Sequence, residues 1–426
     1  MMWTAKNSVR SHRALDLNDS SSLLLSGGWV ALSAAATVRA DLEISNGRVV
    51  RLIDRGRKEQ SPERADQKAR RVEISVAGCL ILPGLINSHD HLEFNLFPRL
   101  GCGPYPNFES WAEDIFHPDR SPICEHLSIP KPVRLWWGGL KNLLSGVTTV
   151  SHHNEYEESV FGADFPVRVV KRYGWAHSLR FGKDVREAFL STPPDAPFII
   201  HLAEGSDRRS GDEIVELDRL GALGSRTVIV HGVGLTEAGH ELRRQRGAAL
   251  VWCPTSNRFT LGATLDAAIL GGPDRISLGS DSALTAEGDL LDEIRAAHSE
   301  GMDLGQIYSM VTGAAADVLQ LQNGEGKLQP GSDADLLVVK RKDSSPAETL
   351  IGTRLDTIEM VMVSGKPHLV SASMAVRCPP DLLNGFEDIE VEGTSCFVRA
   401  PVRQLLREPL ARLGANVRLA GKRVSA

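Results

Sequence analysis

From about residue 22 to residue 80, apolar and polar positions alternate in short runs, the two-residue period of half-buried strands. Ala40-Asp41-Leu42-Glu43-Ile44 and Arg48-Val49-Val50 flank Asn46-Gly47, a dipeptide that favours tight hairpins. Beyond residue 81 the pattern changes. Apolar runs of strand length at 82–88, 147–152, 174–181, 198–202, 227–231, 248–253 and 275–279 alternate with helical patterns, among them 212–223, 236–246 and 290–298. Such alternation predicts a parallel sheet covered by helices, and a closed barrel fits the length of the region. Seven strands are legible rather than eight, because 181–198 holds one helical piece (185–190) and a Pro-rich loop. The barrel is therefore expected to be incomplete or to contain an irregular strand.

After Leu321 the strand period returns at 334–339 and 358–363. Strand runs at both ends of a βα core predict that the termini combine into one small β-domain. The expected organisation is residues 1–80 and 323–375 in the β-domain, 81–322 in the barrel, and 376–426 as an appendage without an assignable role.

Composition narrows the class. The chain has 426 residues, 42% hydrophobic and 24% charged, which suits a globular protein larger than one ordinary domain. A formal net charge of −6 leaves no basic footprint for nucleic acid, so a small-molecule substrate is expected. Six scattered cysteines without a Cys-x-x-Cys pair read as reduced thiols of a cytoplasmic protein. A leader peptide is the competing reading of the N-terminus, where basic residues up to Arg13 precede Leu23-Leu24-Leu25. Ser26, Gly27 and Gly28 interrupt that apolar run, and strands are the preferred reading. No stretch is apolar and long enough to span a membrane, so no membrane partner is expected. The C-terminal appendage would suit a subunit contact, and a homo-oligomer, most simply a dimer, is expected.

The chemistry lies at strand ends. Leu82-Pro83-Gly84-Leu85-Ile86-Asn87-Ser88-His89-Asp90-His91 is an apolar run closing on two histidines one residue apart. Strand side chains alternate faces, so His89 and His91 point the same way, as ligands of a divalent transition metal would. Further apolar runs end in His201, in His231 and, through Gly279-Ser280, in Asp281. Any one of these reads equally as a hydrogen-bonded core histidine or a helix-capping aspartate. At the C-terminal mouth of a βα barrel all five converge, and together they read as a metal site.

Several segments also carry a resemblance. Pro83-Gly84-Leu85-Ile86-Asn87-Ser88-His89-Asp90-His91, Gly146-Val147-Thr148-Thr149, His201-Leu202-Ala203-Glu204, His231-Gly232, Cys253-Pro254-Thr255-Ser256-Asn257, Gly279-Ser280-Asp281-Ser282 and Pro330-Gly331-Ser332-Asp333-Ala334-Asp335-Leu336 follow the order of the amidohydrolase superfamily. The chain resembles the branch that holds guanine, cytosine and S-adenosylhomocysteine deaminases and triazine chlorohydrolases. That resemblance implies an α/β protein, a distorted (β/α)8 TIM-like barrel with a small composite β-sandwich domain from both termini. It implies one divalent metal, zinc or alternatively Fe2+, on His89, His91, His201 and Asp281. Binuclear members add a carboxylated lysine on a middle strand. Here only Lys171 and Lys183 lie between the second strand and His201, and Lys183 reads as a solvated surface residue, so a mononuclear site is expected.

Glu204 matches the deaminases' His-x-x-Glu arrangement, which implies a carboxylate passing a proton to a ring nitrogen of the substrate; the plain alternative is a solvent-facing loop residue. In the implied reaction the metal lowers the pKa of water from 15.7 toward about 7. Asp281 takes the proton, and His231 holds the nucleophile or polarises the attacked carbon's substituent. Phe108-Glu109-Ser110-Trp111 is similar to the loop that closes over nucleoside-type substrates in this branch, which implies substrate contacts for Glu109 and Trp111. A small core within the loop explains Trp111 equally well. Arg180 suits a substrate carboxylate or phosphate, or a structural ion pair. His152, His153 and Asn154 end a strand at the mouth, where one substrate contact is expected.

The activity expected is hydrolytic deamination of an amino-substituted heterocycle (a purine, pyrimidine, pterin or nucleoside-like molecule) with release of ammonia. Hydrolysis of a cyclic amide, an imidazolone or a carbon–halogen bond is the near alternative. A non-catalytic scaffold of the same fold is the distant one, disfavoured because every ligand position is intact. The short segment before His201 and Arg258 after the Cys-Pro-Thr-Ser-Asn motif depart from the family pattern and leave the substrate open.

Overall fold

The alternating segments at the two ends of the chain lie side by side in one twelve-stranded sheet. The computed structural model describes residues 22–54, 71–270, 275–342 and 344–426. The two termini meet where Cys79–Pro83 pairs antiparallel with Leu336–Lys340. Asn46 and Gly47, with φ of 50° and 75°, make the expected hairpin turn between Thr37–Ser45 and Arg48–Asp54. Leu23–Val30 belongs to the strand Ser22–Ala31, paired with Thr37–Ser45 on one side and with Arg71–Ser75 and Cys79–Pro83 on the other. Strand alternation gives the sheet two apolar faces. Ile81, Leu336 and Val338 join its own core, while Leu80, Leu82, Leu337 and Val339 face the core shared with the barrel.

The apolar run 82–88 is two strands, broken at Gly84. A Cβ at Gly84 would lie 2.3 Å from Thr148 Oγ1, and its amide donates to the Asp335 carbonyl at 2.8 Å. The Pro-Gly pair is thus the point where the chain leaves the terminal sheet and enters the barrel. Eight strands follow, labelled β1 (Leu85–Asp90), β2 (Val147–His152), β3 (Arg168–Val169), β4 (Gly174–Ala176), β5 (Phe198–Leu202), β6 (Thr227–His231), β7 (Ala249–Trp252) and β8 (Ile276–Leu278). They form two parallel ladders, β1 to β3 and β4 to β8. The strand missing from the sequence pattern is β3. Its two residues pair with Thr149 and Val150 but are too few to produce an apolar run.

The seam between β8 and β1 has no ladder, yet it is closed at the mouth. The amides of Ser280 and Asp281 both donate to the His89 carbonyl at 3.0 Å. A Cβ at Gly279 would sit 2.6 Å from that of His89, so only glycine permits this approach. Ile86, Ile199, Val228, Val230 and Val251 form one buried cluster.

Residues 376–426 continue the terminal sheet through Glu387–Val391 and Thr394–Val398 and add the helix Val402–Leu413. That helix packs on Lys131–Leu144, where the fully buried Trp137 donates its indole N–H to the Leu405 carbonyl at 3.2 Å. Among the described residues no helix is long and apolar enough to cross a membrane. Trp137→Ala opens a cavity at this junction and is expected to cost about 3–5 kcal/mol, read from urea unfolding.

Candidate metal centre

Strand ends deliver the side chains, and three strained residues aim them. His89 and His91 leave β1 on one face, and His201 lies on β5 on the same face as Ile199. His231 comes one residue after Val230, so simple alternation would turn it away from the mouth. Its φ of 73° breaks that alternation. Ala203 (φ 54°) and Asp281 (φ 51°) share the left-handed conformation, the former just before Glu204. Left-handed backbone in residues other than glycine is costly and clusters at sites where direction matters more than stability.

The donor atoms converge. His201 Nε2 lies 3.2 Å from His89 Nε2 and 3.4 Å from His91 Nε2. Asp281 Oδ1 lies 3.6 and 3.8 Å from the same two ring atoms. Neighbouring ligands 2.0–2.1 Å from a metal ion are about 3–4 Å apart, so these separations are those of a coordination shell. His201 Nδ1 is 2.9 Å from the His177 carbonyl, so Nδ1 carries the proton and Nε2 presents its lone pair. Burial pushes His89 down to about 3 and His201 well below the usual imidazole value, which keeps both rings in the neutral, ligating form. The remaining Asp281 oxygen, Oδ2, accepts from Ser256 Oγ at 2.7 Å and Thr285 Oγ1 at 2.9 Å. These residues fit a divalent transition metal.

A polar network that the sequence does not reveal supports the donors from behind. Asp90 points away from its histidine neighbours into a buried cluster. Its Oδ2 is 3.3 Å from Lys141 Nζ, and both side chains are almost wholly enclosed. Lys141 also donates to Asn95 Oδ1, Ser280 Oγ and the Asp281 carbonyl at 2.9–3.0 Å. Asn142 and Asn95 donate to the two Asp90 oxygens, and Asn87 donates to Ser280 Oγ, each at 2.8 Å. One ammonium thus ties the β1 end to the segment after β8, across the seam that lacks a ladder. Lys141 sits within Leu140-Lys141-Asn142-Leu143-Leu144, where a helical pattern gives no sign that the lysine is buried.

On the solvent side lies a cavity of about 120 Å³, lined by His91, His177, His201, Glu204, His231, Asp281 and the apolar Phe108, Trp111 and Phe181. Glu204 Oε1 is 3.6 Å from His231 Nε2, and His231 Nδ1 is held 2.8 Å from Asn257 Oδ1. Burial pushes the Glu204 carboxyl up to about 7; Asp281 and Glu213 add to the rise, and His231 opposes it. Trp111 spends its indole N–H on the Leu100 carbonyl, leaving its ring at the cavity wall. His177, one residue past β4 and unnoticed in the run 174–181, also reaches this wall.

Other expected contacts are elsewhere. Glu109 is outside the lining and accepts from Arg209 at 3.0 Å. Arg180 is at the surface, bonded through both guanidinium nitrogens to Glu216, so of its two readings the ion pair is the one realised. His152 is enclosed away from the cavity, its Nδ1 taken by the Leu92 amide and its Nε2 facing Glu93. Lys171 and Lys183 are exposed and paired with Glu158 and Glu155, away from the donor cluster.

Residues 177–367, which include His201, His231 and Asp281, match the family model described as the amidohydrolase family. The 5-methylthioadenosine/S-adenosylhomocysteine deaminase of Syntrophobacter fumaroxidans is 27% identical over 384 residues, covering 71% of this chain and 85% of that one. A 5'-deoxyadenosine deaminase of Methanobrevibacter smithii is 22% identical over 332 residues, covering 64% and 75%. In fold, a zinc-bound adenosine deaminase of Xanthomonas campestris superposes with a TM-score of 0.64 at 19% identity, covering 82% of this chain and 93% of that one. An atrazine chlorohydrolase of Arthrobacter aurescens in complex with zinc gives 0.67 at 17% identity, covering 92% and 100%. The resemblance read from the motifs thus holds at the level of sequence and of fold. The barrel is of the distorted (β/α)8 kind.

Lys141→Met leaves Asp90 as an unpaired buried charge. The expected loss is about 3–5 kcal/mol in urea unfolding, and neutralising Asp90 as well (Asp90→Asn) should recover part of it. Because the Asp281 backbone loses its tether, zinc affinity measured by chelator competition should fall about 10- to 100-fold.

Proposed function

We propose that this chain is a metal-dependent hydrolase that removes the amino group of a heterocycle, an adenine nucleoside foremost, by the reaction R–NH2 + H2O → R–OH + NH3, the product settling as the keto tautomer with its proton on the adjacent ring nitrogen. The observation that carries this reading is Glu204, a buried carboxyl poised near neutrality at the wall of a cavity it shares with the donor cluster. The names of the relatives support adenine nucleosides as substrates, and the apolar Phe108, Trp111 and Phe181 suit a flat ring system.

His89, His91, His201 and Asp281 would hold the ion. Three imidazoles and one carboxylate suit zinc or Fe2+, and the zinc-bound fold neighbours favour zinc. A divalent ion there supplies Lewis acidity, which lets water ionise near neutral pH. The side chains do the rest. Asp281 Oδ1 takes the water's proton, while Ser256 and Thr285 hold its other oxygen and fix the direction of transfer. Glu204, protonated, gives its proton to the ring nitrogen beside the attacked carbon and makes that carbon electrophilic. His231, turned so that Nε2 faces the cavity by the bond from Nδ1 to Asn257, orients the attacking oxygen. Proton delivery to the amino group then releases ammonia. Two carboxyls with opposite tasks need opposite environments. For Glu204 burial is the leading cause, with Asp281 and Glu213 adding to the rise against His231. Asp281 is buried too, but the imidazoles it faces, His89 foremost, hold its carboxyl well below the usual range, and Ser256, Thr285 and the Ser282 amide donate to its oxygens.

Ammonia release from adenosine, 5'-deoxyadenosine and thioether adenosines should appear in the zinc-loaded protein and vanish on chelation. Turnover of cyclic amides without any ammonia from amino-heterocycles would contradict the deaminase reading. Glu204→Gln should lower kcat by about 10²–10⁴ while elemental analysis finds the metal retained. Since the acid form of Glu204 is the active one and exists below about 7, kcat/KM should fall as pH rises through that value. That alkaline limb should be missing from the residual activity of the Gln variant.

A further inference from the structure

His153 is a buried imidazole that the reaction above does not use. It stands one residue past β2, 2% exposed, and takes no part in the cavity lining, so it meets neither solvent nor substrate. Its Nε2 lies 3.0 Å from the Ala176 carbonyl. A carbonyl only accepts, so Nε2 carries the ring proton and Nδ1 the lone pair. Nδ1 is enclosed and has no hydrogen-bond partner. Buried acceptors are rarely left without a partner, and an orphan beside a functional site needs a reason.

The surroundings supply one. The rings of His89, His91 and His201 have centroids 4.9–5.3 Å apart. The His153 ring is 4.3 Å from that of His201, 5.1 Å from His89 and 5.6 Å from His91, and so stands in the same cluster of rings. One ligand atom from each of these four residues lies within 4.8 Å of the other three. His231 also neighbours His201, but it lines the cavity and its Nε2 faces Glu204, whereas His153 has neither outlet.

We propose that His153 is a fourth imidazole ligand of the metal, binding through Nδ1, so that the ion is held by His89, His91, His153, His201 and Asp281. The inference rests on the metal-centre reading of the preceding subsection and extends its donor set. The Ala176 carbonyl acts as the orienting partner: by holding the Nε2 proton it fixes the tautomer that leaves Nδ1 bare, as the His177 carbonyl does for His201.

X-ray absorption on the zinc-loaded full-length protein tests this, because outer-shell scattering counts coordinated imidazoles. Four are expected in the wild type and three in His153→Phe, with zinc affinity in chelator competition lowered at least about 10-fold in the variant, the smallest effect usual even for an outer partner of a ligand. His153→Asn keeps an acceptor near the Nδ1 position and should retain more affinity than Phe; it also serves if the Phe variant does not fold. Three imidazoles in wild type and variant alike, with unchanged affinity, would overturn the proposal and leave His153 as a buried ring. A wild-type protein that takes up no zinc would overturn the metal-centre reading as well, which separates the two failures.

Discussion

Lone pairs of three imidazoles and a carboxylate oxygen, packed 3.2–3.8 Å apart and largely out of water, repel one another unless a cation lies between them. The rest of the architecture serves that gathering. The donors come from β1, from β5 and from the segment after β8, and the barrel's unladdered β8/β1 seam is closed at the mouth by the His89 carbonyl itself. Joining β8 to β1 and assembling the site therefore use the same contacts. The Lys141–Asp90 pair lies under this junction and bonds to both sides of it, so a buried charge pair that contributes little net stability gives direction instead.

The same low-dielectric setting separates the two carboxyls. Glu204 is buried with no charge-assisted hydrogen bond and keeps its proton to about pH 7. Asp281 is buried with Ser256, Thr285 and the Ser282 amide bonded to its oxygens and stays ionised. Positive φ at Ala203, His231 and Asp281 shows where the chain gives up local stability to aim these groups.

Much of this was legible in the sequence, for physical reasons that differ by residue. Strands of four or more residues announced themselves, and β2, β5 and β6 have the bounds their runs suggest. The two-residue β3 could not, because its pairing is set by neighbours and not by its own pattern. His89, His91, His201, His231 and Asp281 were readable because strand ends in a βα barrel share one mouth. Lys141 was hidden because burial of a lysine depends on acceptors from Asn95, Ser280 and Asp281, far away in sequence. Glu109, Arg180 and His152 show the converse: a suitable residue near the mouth finds a partner of its own, in Arg209, Glu216 and the Leu92 amide, which for Arg180 is the ion-pair reading. His177 was missed because its run read as plain strand, whereas β4 ends at Ala176 and the next side chain turns to the cavity.

The central claim is that the converging donors are a metal site, and thermal unfolding with matched elemental analysis addresses it directly. The protein should carry transition metal, zinc foremost, near one equivalent per chain. Stripping it should lower Tm, and zinc at about 1,000 times Kd should restore roughly 4 kcal/mol of stability. A chain that binds no transition metal after careful purification, and whose Tm is indifferent to added zinc or Fe2+, would contradict the account.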